Sequence, residues 1–132
     1  MEDSTSKIQR RITSREIGAH FENVAKEYLR TKGYTFLEAN FRTRQGEIDL
    51  IFQRNFGPGF ELIFVEVKQR RLGGVSLSVE AVSRLKALRI KRVAQAWLAQ
   101  QQSRFKARLE SVRFDLLAIE GSKIEHLEGF LD

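Results

Sequence analysis

The sequence predicts an α/β domain with a mixed central sheet flanked by helices, three layers in all. Three observations carry this. Residues 14–32 have apolar positions at helical spacing, 34–68 hold three β-like stretches in succession, and a long helical stretch at 78–102 is followed by a fourth alternating one at 111–121. The resulting order is α-β-β-β-α-β-β.

The first helix runs from a cap at Ser14 to about Lys32, with Ile17, Phe21, Val24, Ala25, Tyr28 and Leu29 on its apolar face. Gly33 closes it. "YTFLEANFR" (34–42), "GEIDLIFQ" (46–53) and "FELIFVEVK" (60–68) read as strands, the last two joined around "NFGPG". "RRLGGVS" (70–76) reads as a loop with Gly73-Gly74 as a flexible connector. "SVRFDLLAIEG" (111–121) is the fourth strand and "KIEHLEGF" (123–130) a short last one. Residues 1–13 are polar, without periodicity, and read as a mobile tail carrying Arg10 and Arg11. Residues 14–132 then form a single domain.

A chain of 132 residues with 42% hydrophobic content suits one domain with one core. It has no uninterrupted apolar run long enough to span a membrane. "MEDSTSKIQRR" lacks the apolar centre of a signal peptide. Cysteine is absent, so disulfides and thiolate metal sites are excluded. These features fit a cytoplasmic protein. The net charge of +6 favours a polyanionic partner, nucleic acid first and anionic membrane second.

The informative stretch is "GEIDLIFQRNFGPGFELIFVEVKQRR" (46–71), where carboxylates and a lysine interrupt strands that otherwise look buried. Alternation puts Glu47, Asp49 and Ile51 on one face of the first strand, with Ile48, Leu50 and Phe52 on the other. In the second strand Leu62, Phe64, Glu66, Lys68 and Arg70 share a face, and Ile63, Val65 and Val67 take the opposite one. A hairpin symmetric about Gly57-Pro58 sets Asp49 opposite Glu66, and Glu47 opposite Lys68. Facing carboxylates repel unless a proton or cation lies between them, and a divalent cation with hard oxygen ligands resolves this. Lys68, two residues past Glu66, can orient a water or neutralise charge developing on a phosphate. A solvated salt-bridge ladder from Glu47 to Lys68 explains that pair, but not Asp49 against Glu66.

"GEIDLI" followed by "FVEVKQR" also resembles the PD-(D/E)XK nuclease superfamily, the restriction-endonuclease-like fold. The resemblance is strongest to the small YraN family, an uncharacterised family of predicted nuclease ancestry. It extends over residues 15–130 through "GAHFENVAKEYLRTKGY" (18–34), "NFR" (40–42), "VEVKQR" (65–70) and "RFD" (113–115). It implies that Asp49, Glu66 and Lys68 form a catalytic core, with Mg²⁺ or Mn²⁺ as cofactor and Asp49 and Glu66 as its ligands. Glu22 matches an extra acidic residue of the Holliday-junction-resolvase-like branch. Relatives of that branch often act as dimers, so a homodimer is among the implied partners.

Residues 81–109 contain eight Lys/Arg and no Asp/Glu, which reads as a phosphate-contacting surface. Arg84, Lys91 and Arg104, with Arg70 near the hairpin, are the candidate nucleic-acid contacts. Lys86, also a candidate nucleic-acid contact, shares a stripe with Val82, Ile90, Val93 and Trp97, so it either runs along apolar surface to water or meets an anion, the Glu66 neighbourhood or a bound phosphate. Phe105 and Trp97 suit base stacking, but helical aromatics more often serve a core. His20 and His126 lack metal-ligand spacing and read as surface or packing residues; Arg113 and Asp115 read as a structural ion pair. These features together predict a metal-dependent endonuclease acting on DNA, branched DNA included. The alternatives are a non-cleaving nucleic-acid-binding module on the same fold and an accessory subunit with a basic surface.

Overall fold

Helix α1 (Ser14–Thr31) is capped by Thr13 rather than by Ser14. Thr13 is the residue with a glutamate three positions on. Its hydroxyl accepts the Glu16 N–H at 3.1 Å while the Glu16 carboxylate accepts the Thr13 N–H at 2.9 Å. This reciprocal box satisfies two donors that Ser14 could not satisfy together. The helix ends where Gly33 takes a φ of 90° and Tyr34 N–H returns to the Leu29 carbonyl, as left-handed glycine closures do.

The computed structural model describes residues 12–69, 84–101 and 108–131. Within them follow β1 (Thr35–Thr43), β2 (Gly46–Phe56), β3 (Gly59–Gln69), α2 (Arg84–Gln100), β4 (Leu109–Glu120) and β5 (Lys123–Leu127). The strands form one five-stranded sheet in the order β1-β2-β3-β4-β5. Every neighbouring pair is antiparallel except β3 and β4, which are parallel and separated in sequence by α2. The mixed sheet and α/β class expected from the sequence are therefore present. The 70–76 loop, Arg10, Arg11, Val82 and Phe105 lie outside the described residues, as does the expected start of the second helix.

The hairpin register is the one expected. Leu50 pairs with Val65, Ile51 with Phe64 and Phe56 with Gly59. Both strands run further into "NFGPG" than expected, leaving only Gly57 and Pro58 as the turn. Gly57 has a φ of 56°, which suits glycine at the first position of a two-residue hairpin turn.

Alternate strand residues feed two cores. Leu50, Phe52, Ile63, Val65, Leu117 and Ile119 pack with Ala25 and Leu29 of α1. Ile51, Leu62, Phe64 and Phe114 pack with Val93, Ala94 and Trp97 of α2. Trp97 is core, and its indole N–H donates to Glu38 at 3.0 Å. One expected face assignment fails. Ile48 does not join Leu50 and Phe52 but packs with Ile51 on the α2 side. The cause lies on the neighbouring strand. Between the pairs Ala39–Leu50 and Phe41–Ile48 stands Asn40, whose φ of 57° turns the β1 backbone out of extended geometry. The simple alternation is lost at Asp49.

A polar network is buried beside the α1 core. Asp115, fully buried, accepts two hydrogen bonds from Arg113 at 2.8 Å and one from the Gly129 N–H at 3.1 Å. His126 Nε2 stands 2.7 Å from its Oδ2, while Arg113 also reaches Tyr34 Oη and Glu61. The expected ion pair is thus part of a larger cluster, and His126 has a packing role within it. Burial alone would raise the Asp115 pKa, but the bonds from His126, Arg113 and Gly129 more than offset it and hold the carboxyl below its ordinary 3.8. Its contribution to stability is therefore present above about pH 4 and is lost as the pH falls. Asp115→Ala leaves the Arg113 charge buried without this partner. Chemical denaturation at pH 7 is expected to show a loss of about 3–5 kcal/mol, and a loss under 1 kcal/mol would contradict the network's structural role.

Candidate active site

The β2–β3 ladder stops at Leu50–Val65, one step short of Asp49 and Glu66. Beyond it β2 continues beside β1 as far as Gly46, and β3 continues beside β4 as far as Gln69. The sheet forks at this point. Asp49 fills the fork: its Oδ2 accepts the Val67 N–H at 2.7 Å, in place of a backbone carbonyl of the opposite strand.

The fork gathers negative charge. The Asp49 pKa is raised from 3.8 to about 7, first by burial and then by the charges of Glu22 on α1, Glu66 on β3 and Glu47 on β2, against the lowering effect of the Val67 hydrogen bond. Three carboxylates from three elements thus act on Asp49. Glu22 stands near enough on α1 for its charge to act on Asp49. Glu47, by contrast, was expected opposite Lys68. Because the ladder has already opened, it meets β1 instead, where Arg42 is its register partner and donates to it at 3.1 Å.

Lys86 answers the question its position raised. From the first turns of α2 its Nζ reaches Glu66 Oε1 at 2.9 Å, with half of its side chain exposed. It meets an anion, and that anion is one of the two expected. Arg84 and Lys91 lie exposed on the same helix. Lys68 is exposed two residues beyond Glu66, while Arg70 and Arg104 lie outside the described residues.

The donors suit a hard divalent cation in kind, since they are carboxylate oxygens. As the side chains lie, no three Asp, Glu, His or Cys groups among the described residues stand together closely enough to hold a metal ion. Each candidate is turned to a partner: Asp49 to Val67, Glu66 to Lys86, Glu47 to Arg42. A cation between Asp49 and Glu66 would share the Glu66 carboxylate with Lys86 or displace it.

The model of an uncharacterised protein family, UPF0102, matches residues 21–119. This chain belongs to that family. It is 42% identical to a UPF0102 protein of Vibrio campbellii over 111 residues, covering 84% of this chain and 86% of the relative. It is 38% identical to the UPF0102 protein YraN of Salmonella arizonae over 116 residues, covering 88% and 84%. The matched region contains Glu22, Asp49, Glu66, Lys68 and Lys86. No helix among the described residues is long and apolar enough to cross a membrane.

The raised Asp49 pKa has a signed consequence. The folded carboxyl holds its proton to about pH 7, whereas an ordinary one releases it near 3.8, so Asp49 removes stability as the pH rises between those values. Asp49→Asn keeps an oxygen acceptor for Val67 without the charge. In chelator, its melting temperature is expected to equal that of the wild type below pH 4 and to exceed it at pH 8. A gain independent of pH would contradict the charge crowding.

Proposed function

We propose that the protein is a Mg²⁺- or Mn²⁺-dependent nuclease that hydrolyses phosphodiester bonds in DNA, on a three-layer restriction-endonuclease-like fold. The observation that carries this reading is the crowding of the Glu22, Glu47 and Glu66 charges on a half-buried Asp49 at a fork in the sheet. The Val67 hydrogen bond explains an acceptor at Asp49 but not three like charges around it, which a cation would offset. The net charge of +6 and the basic helix α2, with Arg84 and Lys91 exposed, support a polyanionic substrate.

Asp49 and Glu66 would hold the ion, which when bound polarises the phosphoryl oxygen and lowers the pKa of water. Glu22 completes the negative field from α1. Lys68 lies on the Glu66 side of β3, where its ammonium can orient the attacking water. The water oxygen forms the new bond to phosphorus and gives up one proton to solvent, the bond to the departing oxygen breaks, and that oxygen takes a proton from solvent. The second reading, a nucleic-acid-binding module that does not cleave, draws support from the Lys86–Glu66 ion pair, which occupies one of the two proposed ligands.

A Mn²⁺ titration by calorimetry, run beside cleavage of linear and branched DNA, separates the two. The wild type is expected to bind Mn²⁺ and to cleave, whereas Asp49→Ala and Glu66→Ala lose both and still bind DNA. Equal Mn²⁺ affinity in all three overturns the metal site, and DNA binding without metal-dependent cleavage favours the second reading.

Lys86→Met tests the ion pair from the other side. Removing the competing ammonium is expected to tighten Mn²⁺ binding. Cleavage is expected to fall by about tenfold or more, equivalent to ~1.4 kcal/mol of transition-state stabilisation, because the freed ammonium no longer meets the phosphate. Full activity with unchanged Mn²⁺ affinity would remove Lys86 from the site.

A further inference from the structure

A cleft of about 460 Å³ opens between α1 and the β1–β2 end of the sheet, next to the fork. Its lining includes Arg15, Gly18 and Glu22 from α1, Asn40 and Arg42 from β1, and Glu47 from β2. Charge is ordered by depth within it. Arg15 is exposed at the mouth, and the Arg42 side chain is 76% exposed. Glu22 is only partly exposed, and the Glu47 side chain is 31% exposed. These two carboxylates also act on Asp49. The cleft therefore has cations at its rim and leads inward to the acidic fork.

We infer that this cleft receives the phosphodiester backbone of a nucleic acid, with Arg15 and Arg42 as its phosphate ligands. The inference deepens the nuclease reading and rests on it for the role of the fork. A polyanion is drawn to the exposed guanidiniums and meets carboxylates only further in, where the proposed cation would balance them. An acidic peptide would find the same rim, but it would place its own carboxylates against Glu22 and Glu47 with no reaction to gain from the contact. Arg42 is suited to the exchange. It now pairs with Glu47, and a guanidinium presents several donors in a planar fork that matches phosphate. Gly18 shapes the wall. A side chain there would meet nothing within 4 Å, so the helix leaves this space open without any need for glycine in its own packing.

That last point supplies a test in which blocking the cleft does not harm the fold. Gly18→Leu puts bulk into the cleft and replaces a mid-helix glycine with a better helix former. Its melting temperature is expected to hold or rise. The affinity of the full chain for labelled single-stranded and duplex DNA, measured in chelator so that no cleavage intervenes, is expected to fall by about tenfold. Arg15→Ala and Arg42→Ala are each expected to weaken binding and to reduce the salt slope by about one. Wild-type affinity and slope in all three variants, or no DNA binding by the wild type, overturns the inference. Capture by phosphatidylglycerol vesicles without DNA binding overturns it in favour of a lipid surface. The nuclease reading fails separately: DNA binding that depends on the cleft, in a chain with no Mn²⁺ affinity, keeps the cleft and removes the metal site.

Discussion

The hydrogen bond from Val67 N–H to Asp49 Oδ2 holds the candidate site open. Where β2 parts from β3, an unpaired backbone donor inside a sheet would be expensive, and a fork would tend to close or fill with water. A short carboxylate at Asp49 meets that donor while the strands diverge. Both strands then remain fully engaged on their outer sides, β2 with β1 and β3 with β4. The opening is thus built from ordinary ladders plus one side chain, and the charges of Glu47 and Glu66 on either strand act on Asp49 there. It also explains why the cluster survives folding. Asp49 can keep a proton up to about pH 7, so the cluster is not fully charged in the absence of a cation.

The surrounding elements divide the remaining charge. Arg42 of β1 takes Glu47, and Lys86 of α2 takes Glu66. Both bridges are largely exposed on the cationic side, so each contributes little to stability and exchanges readily for another anion. Two basic groups that now neutralise carboxylates are therefore placed to meet phosphate if a divalent ion takes over that task. Glu22 reaches the fork from α1, whose position is set by Ala25 and Leu29 in the core. Helical spacing keeps Glu22 in line with Gly18 and Ala25, and so ties the acidic group to the packing of the helix.

Much of this was legible in the sequence because it follows from periodicity. The register of the hairpin came from the symmetry of "FGPG" about Gly57-Pro58, and strict alternation in β3 put Glu66 beside Phe64. The helical stripe that runs into Trp97 put Lys86 on the packing face and left water or an anion as its end point, and the structure shows the anion. What was not legible depends on partners outside the local pattern. Ile48 changed sides because Asn40, on another strand, adopts a left-handed conformation that asparagine tolerates but does not require. Glu47 changed partner because the ladder ended, and no residue in the hairpin announces that end; only Asp49, read as a substitute acceptor, could have done so. The capping error had a readable signal, since Thr13 and Glu16 have the spacing of a capping box. His126 gave none. Its place against Asp115 depends on β5 folding back beside β4, so two residues eleven apart meet only once the sheet exists.

Asp115 and Asp49 stand in opposite electrostatic surroundings. Both are taken out of water, and burial pushes both pKa values upward. At Asp115 the push is reversed by Arg113, His126 and the Gly129 N–H, and the carboxyl ends below its ordinary value. At Asp49 one backbone hydrogen bond opposes the push while three neighbouring carboxylates reinforce it. The first group has its countercharge within the chain, so it orders the sheet and asks nothing of solvent. The second has been given neighbours of its own sign, at a point where the strands had already been parted. Natural sequences remove such conflicts where nothing depends on them. Next to a cleft lined by Arg15 and Arg42, that conflict is what the proposed cation would relieve.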